Sequence, residues 1–223
     1  MKFSIKIITP KIVTIFFMFL AMLAMNSCIG ASADITIRAD GSGSIALEYR
    51  LPMMLESIGK LDGNERWPVI PVGRADFERG LPRIPGLRLR TFSSREVNAA
   101  QGGKDLLTRA VLDFDDTAAL LAFLDVTGSH ASLSQGSQGN LLRLALLDPS
   151  PQTVNADLVS LMQEVCEGYD LQISLSAPRD ASLAVIPSVQ GARVVSQGRK
   201  VSFAIGIGDL LSLSEGLALE IRW

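Results

Sequence analysis

The stretch Ile35–Leu51, ITIRADGSGSIALEYRL, decides the fold of the first part of this chain. Hydrophobic residues occupy the odd positions on both sides of a short polar segment, whereas Thr36 and Glu48 lie between them. This period-2 alternation is typical of a β-strand with one buried face. The segment between the two runs, Ala39–Gly43, contains Asp40 and two glycines, which are common turn residues. The stretch therefore predicts two antiparallel strands joined by a tight turn.

The same turn also matches part of a calcium-binding EF-hand loop. With Arg38 at loop position 1, Asp40 and Ser42 fall at positions 3 and 5, which can hold calcium ligands. Position 1 needs an acid and position 12 a bidentate glutamate, but the chain has Arg38 and Tyr49 there. The flanking residues also alternate with period 2, whereas an EF-hand needs a helix on each side. The sequence therefore favours a hairpin, and we expect no metal site.

The N-terminus has the pattern of an export signal. Lys2, Lys6 and Lys11 give it a basic start, and Ile12–Met25 is an uncharged run of 14 residues. A transmembrane helix needs about 20 apolar residues, so this run is short for a permanent span. A basic start followed by a short apolar core is typical of a secretory signal peptide. An uncleaved anchor is the alternative.

The residues after the apolar run predict a lipid anchor at Cys28. Met25-Asn26-Ser27-Cys28 resembles the lipobox of bacterial lipoproteins, in which a small residue precedes the cysteine that is lipidated. Leucine is usual where Met25 stands, so the match is relaxed. We expect a signal peptide over 1–27, a lipidated Cys28 with a short tether over 28–33, and one domain over 34–223. Cys28 would carry fatty acyl chains such as palmitate, anchoring an exported protein at the periplasmic face of a membrane or at the cell surface.

The charge of the chain excludes some partners. The formal net charge is −2, so no basic excess indicates nucleic-acid binding. Removing residues 1–27 would remove three lysines and no acid, leaving 18 basic against 23 acidic residues, a net charge of about −5. Such a chain would not bind anionic headgroups by overall charge. We therefore expect the membrane to be a partner through the acyl chains on Cys28.

The remaining chain predicts an α+β fold with a mostly antiparallel sheet and two or three helices packed on it. Asp116 is expected to cap a helix over Ala118–Leu124, and Val154–Val165 has the spacing of an amphipathic helix. A second hairpin is expected around Gln135–Asn140. The expected further strands are Leu87–Ser93, Leu106–Phe114, Leu171–Leu175, Leu183–Ile186, Arg193–Val195, Val201–Ile205 and Leu217–Trp223.

Residues 62–86 are rich in Pro and Gly and predict a long irregular excursion, with one helical turn around Ala75–Arg79. Excursions of this length are often binding loops. Trp67 is the weak candidate for a ligand-binding residue there, and a role in covering the core is the favoured alternative.

The sequence contains little recognisable chemistry. His130 is the only histidine, and no Gly-x-Ser-x-Gly elbow supplies a nucleophile for it. After Cys28 only Cys166 remains, which predicts no internal disulfide and no cysteine-rich zinc site. The neighbouring acids Asp115 and Asp116 are expected to serve in capping and not in acid–base chemistry. We therefore predict a protein that is not an enzyme and needs no cofactor, with a carboxylate-based enzyme as the residual alternative.

Several segments together resemble the LppM-like domain of bacterial envelope lipoproteins. They are the lipidation-type Cys28 with an early strand and an Asp40-Gly41 turn, the Thr91-Phe92-Ser93 region before Leu106–Phe114, and the closing block from Tyr169 to Trp223. The resemblance implies an α+β fold of a lipid- or glycolipid-binding type. The chain departs from the pattern in the 62–86 excursion and lacks the C-terminal membrane helix of some members. No binding residue carries over.

The sequence leaves two hypotheses for the function. The first is a lipid-anchored, non-catalytic binding or interaction module, with a lipid or amphiphile as its ligand. The second is a structural or assembly lipoprotein that contacts other envelope proteins. An internal ligand would favour the first, and an exposed apolar patch would favour the second.

Overall fold

The computed structural model describes residues 30–53, 73–98, 103–125, 130–137, 139–147, 168–213 and 215–223. Short α-helices occur at α1 (Arg74–Gly80), α2 (Thr117–Leu124) and α3 (Ile207–Leu211), and Leu81–Arg83 forms a 3-10 turn. The strands are β1 (Ala31–Ile37), β2 (Gly43–Pro52), β3 (Leu87–Asn98), β4 (Lys104–Phe114), β5 (Ala131–Gly136), β6 (Gly139–Leu147), β7 (Asp170–Ser176), β8 (Ser182–Ile186), β9 (Arg193–Gln197), β10 (Lys200–Gly206) and β11 (Leu217–Arg222).

These strands form two sheets. The large sheet has seven strands in the order β3-β4-β2-β1-β7-β10-β9, and the small sheet has four in the order β5-β6-β11-β8. All neighbouring strands are antiparallel except β1 and β7, which pair in parallel at the centre of the large sheet. The mostly antiparallel sheet is therefore as predicted, but strands dominate more than in a balanced α+β fold.

The hairpin predicted from the opening stretch is present. β1 pairs with β2 so that Ile35 lies opposite Ile45, and both side chains are buried. In the turn, the Asp40 carboxylate accepts hydrogen bonds from the backbone N–H of Ser42 at 3.0 Å and from its hydroxyl at 2.7 Å. The Ser42 hydroxyl is the main cause of a lowered pKa at Asp40. Gly41 has φ of 85°, which a side chain would disfavour.

One hydrophobic core takes side chains from both sheets. Ile35, Leu112 and Phe203 of the large sheet belong to the same buried cluster as Leu142 and Leu219 of the small sheet. In strands such as β7 and β10 of the large sheet, buried positions alternate with more exposed ones, so the inner face of this sheet lies on the core. Each side chain of this size contributes about 1.5–3 kcal/mol on burial.

Local sequence explains the two longer helices. α1 begins after Gly73, whose backbone N–H donates to the Asp76 carboxylate at 3.0 Å, and its Phe77 packs on Phe92 with ring centroids 5.6 Å apart. Asp116 caps α2 as predicted, accepting from the Ala119 N–H at 2.8 Å. α1 also agrees with the helical turn predicted at Ala75–Arg79.

Most predicted strands are confirmed, but some boundaries differ. β1 begins at Ala31, three residues before the predicted Asp34, because Ala31–Ala33 pair with both β2 and β7. β3 continues to Asn98 beyond the predicted Ser93. The hairpin at Gln135–Asn140 is formed by β5 and β6. Five features named from the sequence lie outside the described residues: the predicted signal peptide, Cys28, Trp67, the predicted helix at Val154–Val165, and Cys166.

We predict that Gly43→Ala destabilises the fold by about 2 kcal/mol or more. A methyl group on Gly43 would lie 1.9 Å from the Thr36 carbonyl oxygen and 2.3 Å from Phe114 Cζ, so strands β1 and β2 would have to separate. The matched control is Gly80→Ala, where no atom lies within 4 Å. The control should change stability by less than about 1 kcal/mol. Urea unfolding of both variants measures the difference, and equal stabilities would contradict the close packing at Gly43.

Candidate functional site

The large sheet has two ends, which are named here by the residues that lie at each. We call the end where β1 begins, together with the last residues of β2 and the first of β4 and β7, the Gly30 end. The opposite end, which carries the Arg38–Ser42 turn, is called the turn end. β1 spans seven residues, so the two ends are about 23 Å apart.

The first described residue is already bonded into the sheet. The Gly30 carbonyl accepts a hydrogen bond from the Arg50 N–H of β2 at 2.9 Å. A methyl group on Gly30 would lie 3.2 Å from Tyr169 Cδ1, so the Tyr169 ring lies beside this backbone. Gly30 is therefore bonded to β2 and lies beside Tyr169.

Tyr169 connects three elements at the Gly30 end. Its backbone carbonyl accepts from the Ile207 N–H of α3 at 2.9 Å, and its hydroxyl donates to Asp105 Oδ2 of β4 at 3.0 Å. The Asp105 side chain is 1% exposed, and its other oxygen, Oδ1, has no hydrogen-bond partner. An unsatisfied buried acceptor costs about 1–3 kcal/mol. Asp105 therefore has unused hydrogen-bonding capacity inside the protein.

A row of hydroxyl groups crosses the inner face of the large sheet. Thr108 of β4 lies opposite Tyr49 of β2 and Ser94 of β3, and the Ser94 and Thr108 hydroxyl oxygens are 3.2 Å apart. Thr108 is fully buried, whereas Ser94 is exposed. Burial raises the pKa of the Tyr49 phenol far above its usual value; a hydrogen bond with Thr108 opposes the shift and the charge of Asp76 adds to it. Tyr49 is therefore held as a neutral hydroxyl.

The outer face of the large sheet is covered with ion pairs. Arg109 binds Glu48 at 2.6 Å and Lys200 binds Asp34 at 3.1 Å. The other pairs on this side of the molecule are Arg88–Asp115, Arg90–Asp113 and Arg193–Asp170. The hydrogen bond from Arg90 is the main cause of a lowered pKa at Asp113. Exposed pairs such as these each contribute at most about 1 kcal/mol, so they organise the face more than they stabilise it.

The side chains considered for catalysis from the sequence, Asp115, Asp116 and His130, do not form one catalytic site in the described structure. Asp116 caps α2 while Asp115 binds Arg88, so the two neighbouring carboxylates do not act together. The backbone N–H of His130 donates to Asp125, and its carbonyl accepts from the Ala145 N–H at 2.7 Å. These bonds fix the loop that precedes β5. Within the described ranges, no three His, Cys, Asp or Glu residues are placed to hold a metal ion.

No helix in the described part of the chain is long and apolar enough to cross a membrane.

The residues that organise the Gly30 end were not identified from the sequence. Asp105 precedes two leucines in a strand and gives no local signal of burial. In the sequence, Tyr169 stands out only as the first residue of the closing block from Tyr169 to Trp223. The hydrogen bond from Tyr169 to Asp105 joins residues that are 64 positions apart in the sequence. They come together because β1 pairs with β7.

We predict that Tyr49 does not ionise in the native protein at about pH 11, where an ordinary tyrosine would. The chain has two tyrosines, so Tyr169→Phe leaves Tyr49 as the single reporter. Because the folded pKa is raised, the contribution of Tyr49 to stability is complete below about pH 10 and is lost as the pH rises toward the folded pKa. Tyrosinate absorbance should appear only on unfolding. The urea-unfolded variant, titrating near pH 10, is the control, and a native midpoint near 10 would contradict the burial of this phenol.

Comparisons with known proteins find similarity among solved structures. No protein-family model matches the chain, and no curated protein matches its sequence. Among solved structures, the NMR structure of the folded domain of the Mycobacterium tuberculosis LppM protein is similar with a TM-score of 0.44 and 14% identity, over 89% of this chain and 92% of that one. The neighbour is the kind of domain that the sequence resembles. Similarity at this level does not place the chain in a family.

Proposed function

We propose that this protein is an envelope lipoprotein, anchored to a bacterial membrane through acyl chains on Cys28, with a non-catalytic binding role. The observation that carries the anchor is the N-terminal sequence: a basic start, the apolar run Ile12–Met25, and Ser27 before Cys28. The exported protein would lie at the periplasmic face of a membrane or at the cell surface.

The position of Gly30 supports a direct connection between anchor and domain. Only Ile29 separates Cys28 from Gly30, whose carbonyl is bonded to β2. Two residues span at most about 7 Å, so the domain would be held against the membrane and not displayed on a stalk.

The binding role is supported by Asp105. Its unpaired buried oxygen is an acceptor that a hydroxyl or ammonium group of a bound molecule would satisfy. A lipid or other amphiphile offers such donors beside apolar chains, and this class is our favoured ligand.

A second function is favoured by a different observation. Ile186 at the end of β8 and Val194 and Val195 in β9 are 43–54% exposed, on the outermost strands of the two sheets. Exposed apolar residues on edge strands mark places where other proteins attach. A structural or assembly role with other envelope proteins is therefore the alternative.

We predict that Cys28→Ser abolishes the anchor. The wild-type protein should carry acyl chains on an N-terminal Cys28, measured by mass spectrometry of protein extracted from membranes. It should also float with membranes in a density gradient. The Cys28→Ser variant should show neither acylation nor cleavage before residue 28. Cys166→Ser is the matched control and should behave as the wild-type protein. A free Cys28 thiol, or an intact Met1, in the wild-type protein would contradict the proposal.

We also predict that a lipid co-purifies with the protein after gentle extraction. Native mass spectrometry should show a bound species whose mass disappears after delipidation, and Asp105→Leu should reduce its occupancy because the acceptor is lost. Val195→Lys is the control, since it alters the exposed edge and not the interior. A protein that is empty in every preparation, together with cross-links from β9 to another envelope protein, would favour the assembly role.

A further inference from the structure

Two arginines on the outer face of the large sheet lie in one row at the Gly30 end. Arg50 of β2 and Arg95 of β3 both lie opposite Leu107 of β4, one on each side. Neighbouring strands are about 4.8 Å apart, so the two Cα atoms are about 10 Å apart. Arg95 is exposed and Arg50 is half-buried. The two residues therefore lie in the same cross-strand row of the outer face.

These arginines differ from most other basic residues of this face, although Arg38 at the turn end also bonds to a hydroxyl, that of Ser42, and not to an acid. Arg88, Arg90, Arg109, Arg193 and Lys200 each bind an acid. Arg50 and Arg95 have no acidic partner among the residues that the structure describes.

The nearest acids on this face are already engaged. Glu48 binds Arg109, and the Asp105 carboxylate bonds to Tyr169 and to neither arginine. Asp105 is also 1% exposed. This area therefore carries two arginines that form no ion pair in the described structure.

The place of this pair in the fold indicates its partner. The backbone N–H of Arg50 donates to the carbonyl of Gly30, so Arg50 lies beside a residue that is two positions after Cys28 in the sequence. If Cys28 is lipidated, as proposed above, at most about 7 Å of chain separates this end of the sheet from the anchored residue. Guanidinium groups bind phosphate with charge-assisted, often bidentate hydrogen bonds.

We propose that Arg50 and Arg95 form a docking surface for the phosphates of phospholipid headgroups. Contact with the bilayer holds the Gly30 end on the membrane, with the Arg38–Ser42 turn directed away from it. The acyl chains supply attachment and the arginine pair supplies orientation. This inference rests on the proposed lipid anchor.

The test uses the lipidated full chain in vesicles of phosphatidylglycerol and phosphatidylcholine that carry a fluorescent acceptor on a headgroup. A donor dye is attached in a Cys166→Ser background, either at Asn98→Cys at the Gly30 end or at Gln197→Cys at the turn end; both positions are exposed. Energy transfer should be stronger from Asn98→Cys.

The paired variant Arg50→Gln/Arg95→Gln should lower the ratio of docked to undocked protein roughly thirtyfold, about fivefold for each arginine near an anionic surface. The matched control is Arg179→Gln/Arg199→Gln, which removes two exposed arginines without acidic partners at the turn end of the described structure. The control should change the ratio less than about twofold, because charges beyond about 8 Å are screened at physiological salt.

Four outcomes would overturn the docking surface: an unchanged ratio in Arg50→Gln/Arg95→Gln, an equal loss in the control, equal docking on vesicles of a galactolipid without phosphate, or displacement by millimolar inorganic phosphate. The last would assign the site to free phosphate. Flotation of the same samples tests the anchor separately. Protein that does not float contradicts the anchor and the docking surface together, whereas flotation without arginine dependence contradicts the docking surface alone.

Discussion

The parallel pairing of β1 with β7 is the interaction on which the rest of the structure depends. It joins two antiparallel units, β3-β4-β2-β1 and β7-β10-β9, into one sheet. Ile35 on β1 lies opposite Leu175 on β7, and both are among the most deeply buried side chains. Without this pair, the two units would each expose a long edge strand and half of the core. The strand at the centre of the large sheet is also the first one in the described chain.

The sequence predicts individual strands and helices well, because each depends on residues that are neighbours in the sequence. Alternation shows which residues of β1 and β2 face the core, and Asp116 shows where α2 begins. The pairing of β1 with β7 has no such signal, since the two strands are far apart in sequence and parallel pairing requires a long connection. For the same reason the bond from Tyr169 to Asp105 could not be predicted. Arg50 and Arg95 become neighbours only through the register of β4, which places Leu107 opposite both.

The two candidate functions make use of different parts of the molecule. Asp105 Oδ1 lies inside the protein at the Gly30 end, while Val194 and Val195 lie in the outermost strand of the large sheet. A buried acceptor without a partner costs free energy that a bound donor would recover, whereas an exposed valine costs little and is common on protein surfaces. The polar interior is therefore the stronger of the two observations, and it favours a ligand over an assembly role.

The overall charge and the charge near the membrane lead to different expectations. The chain after residue 27 carries a net charge of about −5, which alone predicts repulsion from anionic headgroups. Screening limits each charge to about 8 Å at physiological salt, and the turn end lies about 23 Å from Gly30. The acids at the turn end, such as Asp40, Asp113 and Asp115, are therefore outside the range in which they could repel a bilayer at the Gly30 end. The charges that would act on a bilayer at the Gly30 end are those of residues near Gly30. There Arg50 and Arg95 have no acidic partner in the described structure, whereas Asp209 of α3 is an exposed acid at the same end. The proposed membrane contact therefore rests on the row that Arg50 and Arg95 form on the outer face, and not on the net charge of this end.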